Sequence, residues 1–232
     1  MVMIRKLLAV SLVSAPVLLC AAEFARLTVQ AGADGTAATL TAIAEQRGTW
    51  EVFGWLTLAL LVTWLGAALG LVEAARDLRP RSAWVGGVVA VTGAVTFAMH
   101  QAQYVELNAV LASDQRYIQT AVQVGIKGTG MEDATVLLQL LGVWLGPVVL
   151  GSALARAGVL AWWQFACIPV WVVLFVFTGS NGPAFSAVHL VLLVPFLIVA
   201  RSLIRSPTEA ASADVVERVS TQHVSPQRVR RS

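Results

Sequence analysis

The stretch "EVFGWLTLALLVTWLGAALGLVEAARDLRPR", residues 51–81, begins with a carboxylate and then carries no charge from Val52 to Val72. It ends in a cluster of Glu73, Arg76, Asp77, Arg79 and Arg81. An uncharged run of this length meets the roughly 20 residues needed to cross a hydrocarbon core. Inside that core no water is present to bind backbone polar groups, so the run must be helical. The cations at its end complement the helix C-terminus. This stretch reads as a transmembrane helix and sets the fold class for the chain.

Working outward, similar runs occur at roughly 5–25, 83–108, 134–155, 159–178 and 185–204, alongside 52–73. The expected fold is an all-α, polytopic transmembrane bundle of six spans. Composition agrees: 57% of the 232 residues are hydrophobic and 12% charged, against roughly 25% charged in soluble domains. Mean hydropathy is +0.75. Residues 1–205 form the membrane domain, with outer loops at 27–51 and 109–133. Residues 206–232 are polar and Pro-punctuated and read as a disordered cytoplasmic tail.

The basic residues supply the orientation. With the N-terminus inside, only Arg26, Arg47, Arg116 and Lys127 fall outside. Arg5, Lys6, Arg76, Arg79, Arg81, Arg156, Arg201, Arg205 and four tail arginines fall inside, twelve of the sixteen. This asymmetry predicts both termini in the cytoplasm and a multi-pass plasma-membrane location. It also explains the pI near 9.3 without invoking nucleic acid. The lipid bilayer is the expected partner.

The first span, "MVMIRKLLAVSLVSAPVLLCAA", has the charged start and apolar middle of a signal peptide, with Ala22 before a conceivable cut. Pro16 and Glu23 spoil the cleavage region, so a retained anchor is expected. Cys20 and Cys167 lie in apolar segments and read as small buried hydrophobes.

Two short outer helices are expected. One is capped by Thr36, carries Leu40 and Ile43 three apart, and lies on the membrane surface, with Gly48 after its last turn. The other is capped by Ser113, carries Ile118 and Val122, and ends at the glycines 125, 128 and 130. Gly66 with Gly70, and Gly142 with Gly146, form GxxxG faces. Gly86, Ala90 and Gly93 give a small face to the third span. Pro147, Pro169 and Pro195 lie inside spans and are expected to kink them.

Candidate site residues are few. In "FAMHQAQYVELNA", residues 97–109, the third span turns polar. His100, Tyr104 and Asn108 share one helix face, Gln103 lies beside it, and Glu106 points elsewhere. This reads as a helix emerging into headgroups, with Tyr104 as interface anchor and only His100 and Gln103 within the membrane. His100 lies roughly 24 Å from the inner edge and His189 roughly 7 Å below the outer edge, so the two share a depth. Two imidazoles at matched depth are a candidate pair for a haem or metal ion. Gln103, Tyr104, Glu106 and Gln139 are candidates for lining an outward cavity. Gln139 and Gln164 are also candidates for interhelical hydrogen bonds. Tryptophans 50, 55, 144, 162 and 163, with Tyr117, read as interface-belt residues.

Other chemistries lack their residues. Ser186 and His189 are on one helix, without the GxSG pattern or separation of an intramembrane serine protease. "TGSNGP", residues 178–183, reads as a tight outer turn. No Walker, HExxH or Rossmann pattern occurs.

The layout resembles a loose group of small membrane proteins of high-GC bacteria, classed as a domain of unknown function. The features that carry this are "RKLLAVSLVSAPVLLCAAEFARL", "GTWEVFGWLTLALLVTWLGAALGL", "GGVVAVTGAVTFAM" and "LLGVWLGPVVLGSALARAGVLAWW", which together cover most of residues 4–205. The resemblance implies six helices and brings no functional residue with it. Three functional readings follow. The first is a non-enzymatic protein acting through helix packing with a membrane-protein partner or as a homo-oligomer. The second is a haem or metal binder using His100 and His189. The third is a small transporter or lipid-binding protein with an outward-facing cavity.

Overall fold

The structure, a computed structural model, describes residues 2–124, 130–177 and 183–205. The expected tail at 206–232, the turn at 178–182, and the glycines 125 and 128 fall outside these residues. Among the described residues all regular structure is helical. The helices are α1 (Val2–Gln30), α2 (Gly35–Glu45), α3 (Arg47–Arg76), α4 (Pro80–Leu111), α5 (Gln115–Val124), α6 (Gly130–Arg156), α7 (Trp162–Phe177), α8 (Pro183–Val188) and α9 (Leu193–Ile204). A 3₁₀ turn at His189–Leu192 joins the last two.

Five stretches are long and apolar enough to cross a membrane: α1, α3, α4, Val136–Arg156 of α6, and Phe185–Ile204. The sixth expected span, α7, is apolar apart from Gln164 in its first turn but has 16 residues, which reach about 24 Å. The last span is continuous by length but not uniform. Pro195 has no N–H to give the carbonyl four residues before it, and the chain tightens into the 3₁₀ turn at that level. Pro16, Pro147 and Pro169 lie inside α1, α6 and α7.

Close approach organises the bundle. A Cβ on Gly142 would collide with the backbone of Gly93, and one on Gly146 with Ala90 at 2.5 Å. The GxxxG of α6 thus seats on the small face of α4. Likewise Gly66 and Gly70 of α3 receive Ser11 and Leu12 of α1. Both glycine faces are occupied within the chain, so they give no argument for a membrane partner. Helix α1 belongs to the core, with Ala9, Leu12 and Ala15 buried and Arg5 Nε paired with Glu73 Oε1 at 3.1 Å.

The apolar interior falls into two clusters. The larger runs through the spans and includes Leu12, Leu71, Leu150, Ile168, Trp171 and Phe196. The smaller sits at the end that carries α2 and α5. It joins Val29, Leu40, Ile43, Trp50, Phe53 and Ile118. The two short helices therefore exist as expected, but Leu40 and Ile43 face this second core and not a lipid surface. Their starts also differ from expectation. Asp34 precedes α2, and at α5 Asp114 Oδ1 accepts the Arg116 N–H at 2.8 Å, while Ser113 Oγ donates to the Val110 carbonyl. Gly48 follows α2, as expected, but already lies in the first turn of α3.

Candidate functional site

Helix α4 runs unbroken through 97–109, and its polar residues do not simply wrap around it. His100, Gln103, Tyr104, Glu106 and Asn108 line one hollow of about 660 Å³, closed on the other side by Thr36, Thr39 and Leu40 of α2. Helix α2 stands there because Leu40, fully buried, and Ile43 anchor it to the second core. The apolar spacing of this short helix thus places two threonine hydroxyls opposite the polar residues of α4.

Tyr104 is held from both sides. Its ring packs against Trp50 and Phe53, with centroids 5.9 and 6.5 Å away. Its hydroxyl accepts from Gln30 Nε2 at 2.8 Å. Gln30 Oε1 accepts from Arg26 Nη1 at 2.7 Å, and Arg26 Nε pairs with Glu23 Oε2 at 2.8 Å. Glu23, Arg26 and Gln30 are spaced three and four apart on α1 and so share a face. Because the tyrosine oxygen accepts from Gln30, its own proton remains to be donated into the hollow. Tyr104 was expected as an interface anchor and as a candidate for lining a cavity; it is also the end of a hydrogen-bonded chain. The Glu23, Arg26, Gln30 spacing was visible in the sequence, but its target on α4 was not.

Asn108 is also committed, with Nδ2 donating to the Tyr104 carbonyl at 2.7 Å. His100 is half-buried and Gln103 exposed, which leaves both ring nitrogens and the amide of those residues to meet a ligand. Donors and acceptors are therefore both present, over a largely apolar wall completed by Leu40 and Leu107. Such a hollow can orient a small molecule by hydrogen bonds.

Gln139 is not in this hollow. It lines a small enclosed cavity of about 80 Å³ with Glu23, Gln101, Trp64, Trp144 and Trp171, and its Oε1 is buried without a partner. Gln164, also expected to bond across helices, caps its own helix: Oε1 accepts the Ala161 N–H at 2.8 Å. Trp50, read as a belt residue, is buried at 2% exposure and donates to the Val105 carbonyl at 3.3 Å. Trp55, Trp162 and Trp163 are exposed.

The histidine pair of the sequence reading is not assembled. The stretch with His189 packs on α1 and α7, whereas α4 packs on α3 and α6. His189 is fully buried and ringed by Trp171, Phe175 and Phe185, centroids 5.5–6.2 Å away. Its Nδ1 lies 3.0 Å from Trp171 Nε1. An indole nitrogen only donates, so Nδ1 must accept and the neutral ring carries its proton on Nε2. Neither nitrogen then offers a lone pair to a metal. Among the described residues no three His, Cys, Asp or Glu side chains are grouped to hold an ion. The expected match in depth says nothing about which face of each helix a ring occupies. Ser186 Oγ and His189 Nε2 are both buried without partners, so they form no Ser–His pair.

No protein family, curated protein or solved structure matches the chain. The geometry of the hollow is what bears on function.

Proposed function

We infer that this is a multi-pass plasma-membrane protein of six spans, both ends cytoplasmic, that binds a small polar or amphiphilic molecule in a hollow on its outer face. The observation that carries this is the gathering of His100, Gln103, Tyr104, Glu106 and Asn108 with Thr36 and Thr39 around one space of about 660 Å³. That volume lies within the usual range of ligand sites. Support for the threading comes from the Lys and Arg asymmetry and from α7, whose apolar length packs on α6 with Trp162 and Trp163 at its start. Burial of α1 in the main core supports a retained first span.

Two measurements test the reading. With Cys20 and Cys167 replaced by alanine, Gln103→Cys should react with a membrane-impermeant maleimide in intact cells; reaction only after permeabilisation would put the hollow inside. Native mass spectrometry of gently purified protein should show a small-molecule adduct that is reduced in Gln103→Leu, a change that keeps volume and removes the amide. Identical spectra for the two proteins would remove the binding assignment.

A further inference from the structure

A second groove lies on the opposite flank of α4, between α3 and α4, with a volume of about 390 Å³. Its floor is Thr57, Leu58 and Leu61 of α3 and Ala102 of α4, and its rim carries Glu51 and Glu106. From Glu51 to Leu61 the helix advances ten residues, about 15 Å. That equals one leaflet of a core about 30 Å thick. The groove thus begins at headgroup level among carboxylates and ends in the middle of the bilayer among aliphatic side chains.

Three features distinguish it from ordinary lipid-facing surface. Glu106 is exposed and, among the described residues, has no ion pair. Glu51 meets only Arg47, 3.3 Å away, in a solvent-exposed pair. Thr57 is buried to 3% exposure, yet its Oγ1 has no hydrogen-bond partner, although a threonine in a helix can ordinarily bond its own backbone. It lies six residues, about 9 Å, below Glu51.

We propose that this groove is a site for an amine-headed phospholipid of the leaflet at the α2 and α5 end. Its ammonium donates to Glu106, one acyl chain lies along Leu58, Leu61 and Ala102, and Thr57 Oγ1 donates to an ester carbonyl. The carboxylate rim selects the headgroup. A primary ammonium gives Glu106 both charge and N–H donors, a choline headgroup gives charge alone, and a glycerol headgroup leaves its phosphate facing the acids. The groove borders the hollow at His100 and shares Glu106 with it, while His100 lines the hollow and not the groove.

The test uses full-length protein in phosphatidylcholine vesicles that contain a minor fraction of lipid brominated on its acyl chains, with phosphatidylethanolamine, phosphatidylcholine or phosphatidylglycerol as the brominated species. Trp55 lines the groove, and the difference between wild type and Trp55→Phe isolates its quenching. Brominated phosphatidylethanolamine should quench with a preference of roughly two- to fivefold over the other two, the yield of one partly exposed, charge-assisted hydrogen bond. Glu106→Gln should lower it to the phosphatidylcholine level, and Ala102→Leu, at an exposed position, should reduce quenching by all three. His100→Leu should leave the preference intact. Equal quenching by the three lipids in wild type, or a preference that survives Glu106→Gln or disappears in His100→Leu, overturns the proposal.

Discussion

Replacing Gly142 by alanine tests the packing on which the whole bundle depends. In a free helix the change is favourable, by about 1 kcal/mol. In this protein the new methyl would meet the Gly93 backbone and the Val89 carbonyl, 2.7 Å from the latter. Side chains can rotate away from such a contact, but backbone cannot, so α4 and α6 must separate. Overpacking costs about 1–3 kcal/mol, and the rigid neighbours put Gly142 at the upper end. The net loss is then about 2 kcal/mol, close to a 30-fold shift in the unfolding equilibrium. Gly48→Ala is the control. That residue is helical, exposed, and would bring its Cβ within 4 Å of nothing, so the same propensity gain should appear unopposed. Unfolding by dodecyl sulfate titration in mixed micelles, followed by tryptophan fluorescence, would measure both. If Gly142→Ala is as stable as wild type, or rises with Gly48→Ala, α4 and α6 do not cross in contact and the reasoning fails.

Trp171→Phe should strand His189 Nδ1 in a buried aromatic setting and cost about 1–3 kcal/mol. Adding His189→Leu should recover part of that loss, and strictly additive losses in the same titration would mean the two do not interact. Arg5→Gln should cost no more than about 1 kcal/mol, since Arg5 is 33% exposed and Glu73 keeps Arg76 at 2.9 Å. A larger loss that persists in high salt would give the pair a role the structure does not assign it.

Much of the fold was legible because a bilayer leaves few options. Charge-free runs mark spans, and five of them stand as long apolar helices. The small faces on α3, α4 and α6 also announced close contacts. What they could not announce was the partner, since a GxxxG fits another helix of the same chain as well as a neighbour. Azimuth was the general blind spot. His100 and His189, expected at one depth, serve different surroundings, and Gln139 lies in the closed cavity, not with Gln103. Local chemistry also decided several details. Asp114 sits one residue past the expected cap at Ser113, and Gln164 satisfies its own helix start. The polar character of 97–109 was plain in the sequence. Its assembly into a hollow was not, because the opposing wall comes from α2, and only Leu40 and Ile43 on Val29, Trp50 and Phe53 place that helix there.

The separation of the interior into two apolar clusters gives the molecule two zones of unequal tenacity. Detaching α2 and α5 exposes Leu40, Ile43 and Ile118 while the contacts of Leu12, Leu71 and Leu150 stay intact, so amide protons near the Tyr104 end should exchange far sooner than those deep in the spans. A molecule seated beside Tyr104 would then act as a latch: by holding α2 in place it would slow exchange in a wall that only the smaller cluster otherwise secures.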